Sequence, residues 1–181
     1  MVQISSRSFT IMKILSFDQS TRLTAYAVFV NGDLVKHDLI KIKTKDADKR
    51  FIEMCRSVFD IITQEKPDVV VCEDVSLQTN AAVLTSLARL LGAIVGWCIF
   101  DGVDYYTYYA SQWRRIIGFT GQKKCDSDED SVKKKCDRTY YKEKAIAYIK
   151  DKFDIDEGDD VAESICIGLA YMKDKGIKDN V

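Results

Sequence analysis

Histidine and paired cysteines are scarce in this chain. Its 181 residues include one histidine, His37, and six cysteines, none of them in a C-x-x-C pair. The common zinc-ligand spacings are therefore excluded. Four of the cysteines sit in apolar segments and are expected to be small core residues, which fits a reducing, cytoplasmic compartment. Net charge is also nearly absent, at -1 from 27 basic and 28 acidic side chains. A polyanionic partner would have to be held by a local patch rather than by the molecule as a whole. No unbroken apolar run approaches the ~18 residues of a membrane span. The first ten residues, Met1 to Thr10, lack the apolar centre of a signal peptide.

What is present is an ordinary globular composition, 46% apolar and 30% charged. The length suits one domain with a full core. Residues 1–11 are polar and precede Met12, which opens the first apolar run. They are expected to be a dispensable extension, leaving 12–181 as a single domain.

The chain is organised around Ile14-Leu15-Ser16-Phe17-Asp18-Gln19-Ser20-Thr21. An apolar run ends on a carboxylate, turns through small polar residues and resumes at Thr24. Such runs predict buried strands, over Met12–Asp18 and Thr24–Val30. Asn31-Gly32 is a strong hairpin signal, because both central residues of a type I′ turn need positive φ. A third strand, Asp33–Thr44, alternates in its second half and is expected at a sheet edge. Asp46 opens an amphipathic helix to about Lys66, which Pro67 stops. Asp68–Glu73 is a β-branched run, the pattern of a strand buried on both faces, and it too ends on a carboxylate.

Asn80 begins a helix to about Phe100 that is apolar over a wide arc, which makes it either central or part of a dimer face. Val103–Ala110 predicts an aromatic strand, and Ser111 is expected to cap a short helix holding Trp113, Arg114 and Arg115. Residues 118–138 mix lysines with an acidic cluster and predict a solvated loop. Helices are expected over about Asp137–Phe153 and from Asp159-Asp160 onwards. The order β-β-β-α-β-α-β-α predicts a mixed five-stranded sheet, an antiparallel meander plus two parallel strands, flanked by helices.

A right-handed crossover would set the strands ending at Asp18 and Glu73 side by side. Asp160 and Glu163 lie three apart and share a helix face. Four bare anions cannot coexist in a low-dielectric site. Divalent ions would resolve the repulsion, and Mg²⁺ or Mn²⁺ prefers such oxygen ligands. Each acid also has a plain structural use. Asp18 can cap its turn, Glu73 can pair with a lysine, and acids in a first helical turn favour the helix dipole. Asp74 and Asp159 adjoin the candidates and would replace them if the register were shifted by one.

In element order and acid placement the chain resembles the ribonuclease H-like nucleases, and within them the RuvC-type Holliday junction resolvases. Asp18 is followed by Thr24-Ala25-Tyr26-Ala27-Val28 at that family's spacing, without its glycines. Glu73 matches the acid that precedes the family's long apolar helix. Asp160-Val161-Ala162-Glu163 matches its D-x-x-D, with Glu in the last place. The resemblance extends from Met12 to about Tyr171.

It implies a homodimer that binds a four-way DNA junction in recombination and repair and nicks two strands symmetrically. It further implies two Mg²⁺ (or Mn²⁺) ions per site, held by Asp18, Glu73, Asp160 and Glu163. Basic residues hold phosphates in that family; Arg114 matches one, and Lys123 or Lys124 another. Together with Arg115, these lack interspersed acids and suit phosphate positioning. Where the family carries a wedge aromatic, this chain has Ser76, so distortion of the DNA falls to other groups, Leu77 among them. Trp113 is either a base-stacking residue or core. Rival functions are an RNA–DNA hybrid nuclease, an rRNA-processing enzyme and a junction-binding protein without catalysis. A sugar-kinase-like ATPase would need a glycine-rich phosphate loop, and none follows Asp18.

Overall fold

The computed structural model describes residues 12–76, 80–121 and 130–180, with side chains in the last stretch from residue 138. The N-terminal extension, Leu77, Lys123, Lys124, Cys125 and Cys136 lie outside the described residues or side chains. Five strands form one sheet in the order β3-β2-β1-β4-β5. The strands are β1 (Lys13–Asp18), β2 (Leu23–Val30), β3 (Asp33–Lys41), β4 (Val69–Glu73) and β5 (Asp104–Tyr108). β1 pairs antiparallel with β2 and parallel with β4, which pairs parallel with β5. The meander closes through Asn31 and Gly32 at φ 53° and 95°, the backbone its sequence predicts. β3 lies at one edge, as its alternation indicates.

Helices cover both faces, and the alternation of side chains along each strand divides the core in two. Leu15, Phe17, Val70 and Cys72 face α1 (Ala47–Glu65) and α2 (Ala81–Asp101). Ile14, Val69, Val71 and Phe29 face α3 (Ala110–Ile117), α4 (Asp130–Phe153) and α5 (Asp159–Asp174). Cys55, Cys72, Cys98 and Cys166 are free and buried.

Three details depart from the sequence expectations. Ser111 does not cap α3; the cap is Tyr109, whose N–H donates to Gln112 Oε1 at 2.9 Å. α4 begins at Asp130 rather than Asp137, because lysines propagate a helix well even without an apolar stripe. The third departure is α2. It is long and apolar enough to span a membrane, since Thr85, Ser86 and Arg89 break the apolar run without lowering its average much. Only Leu90, Ile94 and Cys98 of this helix are fully buried, while Val83, Ile99 and Phe100 are exposed.

α5 positions the site. Every residue from Val161 to Met172 is buried, so the helix runs through the core rather than over it. It reaches the sheet through Gly168. A Cβ there would collide with the Phe29 ring and lie 2.8 Å from Ser16 Oγ. Ser16 Oγ in turn donates to Ser164 O at 2.8 Å, which fixes the helix along β1.

Candidate active site

The parallel register of β1 and β4 runs to Phe17 opposite Cys72, so Asp18 and Glu73 are the next residues on neighbouring strands. Gln19 ties the two ends, its Nε2 donating to Glu73 O at 2.5 Å. The first two turns of α5 carry Asp160 and Glu163, whose charges reach Asp18. The Asp18 carboxyl is raised well above the usual carboxylate range by burial first, then by the negative charges of Glu163, Glu73 and Asp160, with Lys142 opposing. The four predicted acids, from three distant segments, therefore act on one another.

The two near-miss acids lie beside the site, and each has a partner of its own. Asp74 accepts from Val75 N at 2.7 Å within its own loop, and Asp159 forms an ion pair with Lys142.

Two of the four candidate acids have a side-chain partner. Glu73 Oε2 accepts from Trp113 Nε1 at 2.8 Å. Burial raises the Glu73 carboxyl, and the indole hydrogen bond opposes that rise. Trp113 is thus a fully buried core residue that also aims an acid. Glu163 Oε1 accepts from Arg114 Nη2 at 2.8 Å, and the pair is largely buried. The Arg114 guanidinium lies 4.9 Å from the Trp113 ring centroid and 4.8 Å from that of Tyr141. Arg114, expected to face phosphates, faces an acid. Arg115 is exposed.

Sequence reasoning missed Lys142, which enters from α4. Its spacing carries no signal, because only tertiary packing brings it to Asp159 and within electrostatic reach of Asp18.

No three acid, histidine or cysteine side chains among the described residues form a ready-made metal cage. The donor set nonetheless fits a hard divalent cation. It is all oxygen, its mutual repulsion calls for positive charge, and Arg114 and Lys142 now supply part of that charge. A cleft of about 40 Å³ lies between Asp18, Gln19, Glu73, Asp74 and Ser76, room for an ion or a few waters. Gln19 Oε1 is buried without a hydrogen-bond partner among the described residues, a further oxygen at the edge of that cleft.

A mixed sheet with acids at the ends of its first and fourth strands, and two more on a late helix packed against it, defines a ribonuclease H-like nuclease fold. The family model described as Crossover junction endodeoxyribonuclease RuvC matches residues 14–134, and the chain belongs to that family. It is 26% identical over 166 residues to the enzyme of that name from Trichlorobacter lovleyi, across 89% of this chain and 87% of the relative. The Aliarcobacter butzleri enzyme is 37% identical over 115 residues, 61% of this chain and 75% of its own. Among solved structures, T. thermophilus RuvC in complex with a Holliday junction substrate superposes with a TM-score of 0.68. That match has 14% identity and covers 93% of this chain and 98% of the other.

Proposed function

We propose that this chain is a junction-resolving endodeoxyribonuclease. It binds four-way DNA and hydrolyses one phosphodiester in each of two opposed strands, leaving 5′-phosphates. The observation that carries this is the buried carboxyl of Asp18 under the charges of Glu73, Asp160 and Glu163, in a chain of the RuvC family.

Those four acids would hold two Mg²⁺ ions, with Mn²⁺ able to replace them. When bound, two such ions favour a hydroxide nucleophile and offset the charge that gathers on the departing 3′ oxygen. The protein's own part is placement. Asp18 sits on the central strand, where it has least freedom to move. Trp113 keeps the Glu73 carboxylate turned inwards through its N–H. Arg114 neutralises Glu163 while DNA is absent and would exchange that acid for a backbone phosphate when DNA binds. Arg115, Lys123 and Lys124 would add phosphate contacts that fix position without reading sequence.

Symmetric cutting needs two such sites, and the exposed apolar side of α2 is the seam we assign to a homodimer. Ile99 and Phe100 present apolar surface there.

The test is cleavage of a synthetic mobile four-way junction, against linear duplex and an RNA–DNA hybrid, in Mg²⁺, Mn²⁺ or EDTA. Paired symmetric nicks on the junction that need metal and Asp18 are expected. Tight junction binding with no cut product would mean a structural protein instead. Cleavage of the hybrid alone would overturn the substrate.

A further inference from the structure

The acidic cleft has a neighbour. Ser76 lines both the cleft and a larger pocket of about 390 Å³, whose walls include Tyr109, Ser111, Arg114, Phe119 and Tyr141. We propose that this pocket seats one nucleobase of the DNA substrate, unstacked from its duplex beside the phosphate that is cut. The inference rests on the nuclease function proposed above and names a part of the substrate that the acids alone do not engage.

The size suits one flat ring system, at the lower end of what small-ligand pockets offer. The walls suit it too. Tyr109 is 45% exposed and Phe119 8%, so one ring stands at the mouth and another lies deep. Phe119 is held edge-on by Trp113 and Tyr148, at centroid distances of 6.2 and 5.4 Å. The Tyr141 hydroxyl donates to Gly121 O at 2.7 Å. Rings fixed in this way bind without a further ordering cost. Every base has a π-face, so aromatic walls accept bases with little regard to sequence.

Arg114 links the pocket to the chemistry. One end of its guanidinium pairs with Glu163. Its Nε is buried and has no hydrogen-bond partner among the described residues. Its guanidinium also lies over the Trp113 and Tyr141 rings, which braces the Tyr141 wall. A base seated here carries its own phosphate towards Ser76 and the acids, since the two cavities share that residue. Bases at the exchange point of a four-way junction are the cheapest to unstack, so the seat favours junction over unbroken duplex.

The experiment is an abasic scan on the full chain. Single tetrahydrofuran residues are moved one position at a time across the exchange point of a four-way junction. Binding is measured in Ca²⁺ and cleavage in Mg²⁺. One position next to the cut should weaken binding about tenfold, in the range of a lost base stack, while its neighbours change little. In Tyr109→Ala the same abasic residue should cost nothing more, and Tyr109→Phe should restore the parental pattern. The scan on the parent chain decides the matter alone if Tyr109→Ala fails to fold. A flat scan on a junction that is still bound and cut overturns the seat and leaves the nuclease standing. So does an abasic penalty that Tyr109→Ala keeps in full. A parent chain that neither binds nor cuts the intact junction overturns both.

Discussion

At Asp18, burial and three neighbouring acids all work in one direction: they favour the protonated form. A carboxyl whose folded pKa is raised holds a proton that the unfolded chain has released. Its contribution is harmless below the ordinary value of ~3.9 and becomes a loss of stability as pH rises through the folded pKa. Asp18→Asn should therefore melt higher than the parent at pH 7.5 without divalent ions, and at the same temperature near pH 3.5. Adding Mg²⁺ should raise the parent's Tm and narrow the gap, since a ligand that binds only the folded state stabilises it. Calorimetry at the two pH values checks this, and equal Tm values at pH 7.5 would remove the repulsion from the account. The same variant should lose cleavage and keep junction binding.

Trp113→Phe tests the aim of Glu73. It removes one hydrogen bond to a charged group and should cost about 1.5–3 kcal/mol in urea unfolding, with a larger loss of cleavage than of binding. Asp18 and Glu73 were legible in the sequence because each ends an apolar run. The Arg114–Glu163 pair was not, because the phosphate role expected of Arg114 gave no hint that an acid of α5 would take its charge.

Among the elements, α5 bears the most. Two of the four acids lie on it, and its place along β1 depends on a glycine. Gly168→Ala should drive a methyl into the Phe29 ring and Ser16 Oγ. Overpacking of this kind typically costs about 1–3 kcal/mol. Chemical denaturation should show that loss, and cleavage should fall at temperatures where the variant remains folded. An unchanged midpoint would mean that α5 can shift without strain.

Element types and order were legible nearly throughout, because period-2 and helical patterns are clean in β1, β2, β4 and α1. Two helix starts were not. α3 lacks a usual capping residue, and the signal that would have found its start is the Gln three residues after Tyr109. α4 opens in a charged stretch with no periodicity to mark it.

For the whole molecule, the assembly we propose rests on α2. Phe100, 82% exposed, and Ile99, 65% exposed, should be covered in the homodimer proposed here. Phe100→Asp with Ile99→Asp should give a monomer in sedimentation velocity. The monomer should cut single strands of a junction without pairing the nicks. A variant that sediments with the parent would move the seam elsewhere. Sequence showed that α2 was too apolar for an ordinary surface helix. It could not show which side meets the sheet, because the apolar arc exceeds the three residues that the core takes.

The join between Ser16 and Ser164 spans 148 positions. Contacts that distant are slow to form, because a long loop must close before they repay it. During synthesis the meander, α1 and β4 leave the ribosome well before α5, so Asp18 and Glu73 wait for Asp160 and Glu163. A nascent chain with half of the proposed acids cannot yet assemble the full site. Activity should then appear only once the last helix has docked. In refolding from urea, cleavage should return in the slowest phase, behind the recovery of secondary structure.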